Sequence, residues 1–495
     1  VTDDASLAAA LANAPAGATI ALEAGTYRGF EVPRDMKIVG RCASKVTLKG
    51  GMRGVYVVDT RKVTVESLTV DGFEGGIVAA WGADVAAARV IVRNTQAPFV
   101  SGEAKLRITG SVVETTKPKT AALMAQTGGS IVFEDGEVRG HETIATAFEK
   151  DTDVTFRRSV ARYEGSSAGA TMFTVFGGAH VLVDESAVRF RMGTLAFTRR
   201  TLPTVDTMDG LAGGHLELRA SHVRQSGAEL DRPLTKISEG SRASLEGTTV
   251  EHQTVAAFMA GDPESRFDAK ATVIRGLGQS GGMRNAVWAL RGGTATIEGS
   301  AIVTAQGQAL ASTSEGSRLT LTRSLVTETH PSTEATAPEF GSSGIGLIVG
   351  HGAVASVQGS AIVYSRNFGV LVAAGGHGEL AGTIIDGTRT GPEGNGGAAL
   401  ASVSAHVTMD HSLVRDSQDV AVVFVGGDGI VKRTRFVGNP VGVHLSEARI
   451  VEASAEPSTT SPGELVLFAN VFEGTSTMVR EAPYEAPLEP APLGN

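Results

Sequence analysis

The sequence predicts an all-β chain: a right-handed parallel β-helix of about 16–18 coils with an N-terminal capping helix. Three observations predict it. A short phrase recurs along the 495 residues: an apolar residue, two variable residues, a small residue and then an apolar pair. Within each copy the apolar residues alternate, which is the period of a strand and not of a helix. Finally, the chain holds 62 Gly, 5% aromatic and 20% charged residues. That composition is too Gly-rich for long helices and too apolar for disorder.

The elements follow in order. Ser6–Ala14 carries Leu7 and Leu11 among alanines and is expected to plug the open end of a solenoid, so residues 1–16 form the cap. Two strands, in Gly17–Tyr27 and Met36–Gly40, open the coils. The repeated phrase then runs through Ile108, Phe156, Val183, Leu218, Leu245, Ile297, Leu321, Val357, Leu380, Met409 and Val431. Its period is about 22–24 residues and lengthens at insertions. Each coil reads as three strands. The first is an apolar run such as Ala286–Leu290, the second holds the marker residue, and the third follows the small residue, as in Ala301–Val303. Stacking such coils buries one column of inward residues per strand against the next coil about 4.8 Å away.

The small residue marks a tight bend, and Asn94, Asn367 and Asn439 after the third strand suit left-handed bends carrying an amide ladder. Insertions at 198–214 and 452–464 extend the turn after the first strand, and those at 329–344 and 388–397 extend the turn before it. They are rich in Pro, Thr, Ser and Gly, which favours contact surfaces over reaction centres. The β-helix is expected to occupy residues 17–480, and residues 481–495 form a Pro-rich extended tail.

The capping helix followed by Gly17-Ala-Thr-Ile-Ala-Leu-Glu-Ala-Gly-Thr-Tyr27 resembles the opening of proteins of the pectin-lyase-like superfamily. The resemblance implies a parallel β-helix, carbohydrate chemistry or carbohydrate binding, and a location outside the cytoplasm, secreted or at a bacterial cell surface. No specific enzyme family is matched. The polygalacturonase pattern is represented by Gly350-His351-Gly352 and Gly376-His377-Gly378, but Gln96 follows Asn94-Thr95 and the sole Asp-Asp is Asp3-Asp4. That hydrolysis needs two carboxylates flanking the scissile bond. Lyase chemistry needs acidic Ca²⁺ ligands and a basic residue on one sheet. The outward positions of the first strands are mostly Ala, Thr, Val and Ser.

Charge and thiol content exclude further classes. A net charge of −9 gives no electrostatic case for nucleic acid or anionic lipid. The single thiol, Cys42, excludes an intrachain disulfide framework and Cys-rich zinc sites, and no cofactor or metal is expected. No apolar run approaches the ~18–20 residues that cross a bilayer. With Val1 first and no charged-then-apolar leader, the chain is expected to be either a processed mature form or a trimmed one, any signal sequence lying outside it.

One polar column stands out three residues before the marker. His377, His406 and Asp428 occupy it on three successive coils, a grouping that could orient a metal or act as an acid–base pair. A solvated ladder opening a strand is the simpler reading, and His180 with His215 is an earlier instance of it. Asp410 and Lys432 sit at matching offsets and are expected to form a cross-strand ion pair. Trp81 and Trp288 could stack on sugar rings or fill coil corners. The tail is expected to be a plain linker or disordered end; the sharper alternative makes Tyr484, Leu488 and Leu493 anchors docking it on a subunit or partner. The favoured function is therefore a non-catalytic extracellular or cell-surface scaffold that presents a long face and loops to a protein or polysaccharide. The alternative is a polysaccharide lyase, glycoside hydrolase or epimerase, whose catalytic residues the sequence leaves unassigned. Convergence of Lys150, Arg199, Arg200 and Arg291 with carboxylates would favour it.

Overall fold

The computed structural model describes residues 1–116, 121–199, 213–227, 232–276, 285–331, 344–391, 394 and 396–483. Its strands build a parallel β-solenoid of about 16 coils, with one helix among the described residues, at the N-terminus. Contacts divide the chain into two compact units, Val1–Ala228 with Ser238–Ser244, and Glu229–Ile237 with Leu245–Asn495.

The helix spans Asp4–Asn13. Asp3 caps it, its carboxylate accepting from the Ser6 backbone N–H while the Ser6 hydroxyl accepts from the N–H of Asp3. This reciprocal arrangement satisfies donors that a first helical turn leaves open. Leu7 and Leu11, one turn apart, are buried.

In the first unit the second-strand register is residue for residue. Ile108, Phe133, Phe156, Val183 and Leu218 are partners on consecutive coils, and all are shut off from water. Phe133 and Phe156 stack with ring centroids 5.4 Å apart and planes within 2°. Burying such a ring is worth about 1.5–3 kcal/mol. The marker column is therefore the core ladder that the alternation predicts.

The bend after the marker strand is built from two residues. The one before the small residue is left-handed, as at Arg158 (φ 45°), Glu185 (φ 47°) and Ala220 (φ 43°). The small residue itself is buried, and its hydroxyl couples coils. The backbone N–H of Gly136 donates to Ser159 Oγ, that of Ser159 to Ser186 Oγ and that of Ser186 to Ser221 Oγ. Each of these serine hydroxyls donates in turn to the carbonyl two residues earlier. Ser therefore recurs because a hydroxyl can accept and donate at once. The second unit repeats the device through Thr272, Ser300, Ser324 and Ser360.

The three asparagines divide. Asn94 and Asn367 are left-handed, whereas Asn439 is buried, accepts from the Ser417 N–H and donates to the Val414 carbonyl. It couples coils as the serines do. The stretch 452–464 joins two parallel strands of the same sheet: Glu464–Phe468 lies between Asp428–Lys432 and Arg449–Glu452. Most of 198–214 and 329–344, and the tail from Tyr484 onward, lie outside the described residues.

Candidate functional site

The predicted polar column forms. His377, His406 and Asp428 are direct register partners on three coils of the second unit. The two imidazoles stack 4.6 Å apart with planes within 6°. His406 Nδ1 bonds Asp428 Oδ1, and His377 Nε2 lies 3.2 Å from Glu379 Oε1. The first unit holds the same set in reverse order, Asp153, His180 and His215. There the imidazoles stack at 5.0 Å, His180 bridges Asp153 and Glu217 at 3.3 Å each, and His215 Nε2 meets Ser244 Oγ. Each histidine spends ring nitrogens on neighbours within or beside its ladder. Among the described residues no group of three His, Cys, Asp or Glu side chains is placed to hold a metal.

Asp410 and Lys432 are register partners with Lys432 Nζ 3.8 Å from Asp410 Oδ2. The tighter bond comes from Arg433, which grips both Asp410 oxygens at 2.8 and 2.6 Å. Burial raises the Asp410 pKa, but the Arg433 bonds and the nearby cations outweigh it and hold the carboxyl below the usual carboxylate range.

The tryptophans differ. Trp81 stands in a left-handed bend (φ 52°) and is 59% exposed. Trp288 is half-buried on the outer face of a first strand, packed beside an apolar cluster. Tyr484, Leu488 and Leu493 lie outside the described residues, as do Arg200 and the Arg199 side chain. Lys150 is exposed in the first unit and Arg291 in the second.

The sequence reading missed an arginine ladder. Arg139, Arg162, Arg189 and Arg224 are register partners on four successive third strands of the first unit, and all four are exposed. The signal was present: in Ser159–Arg162, Ser186–Arg189 and Ser221–Arg224 an Arg stands three residues after the small residue. Beside the ladder lies a groove of about 820 Å³ lined by Arg93, Arg139, Arg162, Glu114, Glu137 and Glu164, among others. Glu137 pairs with Arg139 at 2.5 Å and with Arg162 at 3.7 Å. The Arg139 hydrogen bond, reinforced by both guanidinium charges, outweighs burial and holds Glu137 ionised, its pKa below the usual range.

The sequence matches no protein-family model and no curated protein. Among solved structures it is similar to an alginate lyase from a Paenibacillus species, at 14% identity over 50% of this chain and 93% of that one, TM-score 0.37. A chain of the Vag8–C1 inhibitor complex is 12% identical over 94% of this chain and 99% of that one, TM-score 0.43. The A-module of an Azotobacter vinelandii mannuronan C-5 epimerase is 12% identical over 97% and 92%, TM-score 0.25. The architecture, read from the chain's own strand pairings, is a parallel β-helix.

Proposed function

We propose that the protein is a non-catalytic scaffold, working outside the cytoplasm at a bacterial surface, that binds an extended acidic polysaccharide along the third sheet of its first unit. The observation that carries this reading is the ladder of Arg139, Arg162, Arg189 and Arg224. In-register parallel strands repeat every ~4.8 Å. Like charges at that spacing repel by roughly 1 kcal/mol per adjacent pair in water, and the one carboxylate of Glu137, shared by Arg139 and Arg162, offsets only part of the positive charge on these two arginines. A linear polymer with one carboxylate per sugar relieves that repulsion, because a sugar ring advances its chain by a comparable step. Guanidinium is suited to the task, since its planar fork takes a carboxylate with two parallel bonds. The chain's overall negative charge confines this attraction to the ladder.

The competing enzyme reading is favoured by the neighbouring groove, where Glu114, Glu137 and Glu164 meet arginines. Holding Glu137 ionised opposes its use as a proton donor, although a base role stays open to it. The test is retention on immobilised polyuronate against neutral dextran, with assays for unsaturated and reducing-end products. Binding that weakens steeply with salt and is lost in an Arg162→Gln, Arg189→Gln double variant, with no product formed, supports the scaffold. Product formation abolished by Glu137→Gln establishes the enzyme reading, and equal retention on dextran overturns the ladder.

A further inference from the structure

The arginine ladder is uneven along its length, and one carboxylate makes it so. In the strand Glu137–Arg139 the first and last residues both face outward, two positions apart. Glu137 bridges two rungs of the ladder. One oxygen lies 2.5 Å from Arg139 of its own coil, and the other lies 3.7 Å from Arg162 of the next. The column in which Glu137 stands continues in register through Val160 and Ala187 to His222. Two coils on, Ala187 therefore holds the place that Glu137 holds. Beside it Arg189 and Arg224 repeat the pairing of Arg139 and Arg162, and Arg189 makes no ion pair among the described residues.

We infer, resting on the polyuronate reading above, that Arg189 and Arg224 form a cradle over Ala187 for one uronate carboxylate of the polymer. Glu137 is the built-in occupant of the equivalent cradle two coils earlier. Guanidinium groups one coil apart, ~4.8 Å, are close enough for one carboxylate to touch both, as Glu137 does. Each carboxylate oxygen can accept from a different fork. The methyl group of Ala187 leaves that position open, where a Glu would fill it. Arg224 need not be without neighbours of its own, since Arg162 shares Glu137 with Arg139 in the same way.

The two cradles differ in what they offer a passing chain. They lie two coils, ~9.6 Å, apart, which is about one disaccharide of an extended sugar polymer. A uronate anchored over Ala187 therefore brings the next carboxylate on the same side toward Glu137. There the arginines are already engaged, and the incoming charge meets a like charge. Ala187 marks the rung at which the polymer is anchored, and Glu137 keeps the neighbouring rung from holding it as tightly.

The experiment measures affinity of the full chain for soluble polygalacturonate in the parent protein and in Ala187→Glu, Ala187→Gln and Glu137→Gln. Circular dichroism verifies that each is folded. Ala187→Glu keeps all four arginines, yet it is expected to lose affinity about tenfold or more, because its own carboxylate takes the cradle. Ala187→Gln, of the same size without the charge, should stay within about twofold of the parent. Glu137→Gln frees the second cradle and should gain about threefold or more. Equal affinity of Ala187→Glu and the parent overturns the cradle and leaves the ladder reading standing. Equal losses in Ala187→Glu and Ala187→Gln show obstruction in place of charge and overturn it as well. A parent protein that does not bind polygalacturonate overturns the ladder reading itself. Polyglutamate that competes as well as polygalacturonate at equal charge overturns the sugar acid in favour of an acidic polypeptide.

Discussion

The imidazoles of His377 and His406 lie face to face, 4.6 Å apart, and only His406 reaches the carboxylate of Asp428 on the following coil. Parallel strands place identical positions one above another, so a histidine on two successive coils must stack. The carboxylate then orients the second ring. Asp428→Asn is expected to cost about 0.5–1 kcal/mol, the range of a partly exposed charge-assisted bond. It should leave polysaccharide binding unchanged, and urea unfolding together with polyuronate retention checks both halves.

Ser186→Ala tests the hydroxyl ladder. The substitution leaves the buried Ser159 N–H without its acceptor, which is expected to cost about 1–3 kcal/mol. Hydrogen exchange should accelerate at Ser159 and its neighbouring coils and stay unchanged near the capping helix, because solenoid coils are stabilised mainly by nearest neighbours.

Gly369→Ala tests close approach. A Cβ there would meet Ile385 Cγ2 at 2.5 Å and the Ala399 carbonyl oxygen at 2.6 Å. Backbone cannot yield as a flexible side chain can, so a loss of about 1–3 kcal/mol is expected. A melting temperature equal to that of the parent protein would refute it.

Acidification should loosen the last coil. Burial depresses the pKa of His444, whose Nδ1 accepts from Arg480 Nε while Nε2 donates to the Ala482 carbonyl. Protonation at Nδ1 would set two cations together, and Asp419, 3.9 Å from the Arg480 guanidinium, offsets only part of that. A depressed folded pKa means the stabilisation is full above the unfolded value of about 6.5 and is lost as pH falls through the folded value. Exchange protection over 477–482 is expected to drop as pH falls below about 6.5, and His444→Gln should flatten that dependence.

The coil was legible because its period is written twice, in the apolar marker and in the small residue behind it. What the small residue does was harder to read. Ser, Thr and Gly all suit a bend, and only the register shows that the hydroxyl of Ser186 serves the backbone of Ser159 one coil earlier. The histidine column was found because His is rare. The arginine ladder was missed because Arg on a strand surface is ordinary, and its meaning arises only when four coils align. The outer face of the first sheet read as small and uncharged, yet alternation alone could not tell that Ile348 and Leu371 are closed to water.

The hydroxyl relay also bears on how such a chain changes length over generations. Each serine accepts from the coil before it and offers its own N–H to the coil after it. A segment cut from one serine to the next therefore carries one complete acceptor and one complete donor. Gene duplication or excision in that phase joins Ser159 to Ser221 as readily as to Ser186, whereas a cut out of phase strands a buried amide. The serine-to-serine segment is thus the unit in which coils could be added or removed while each buried amide of the relay keeps its acceptor.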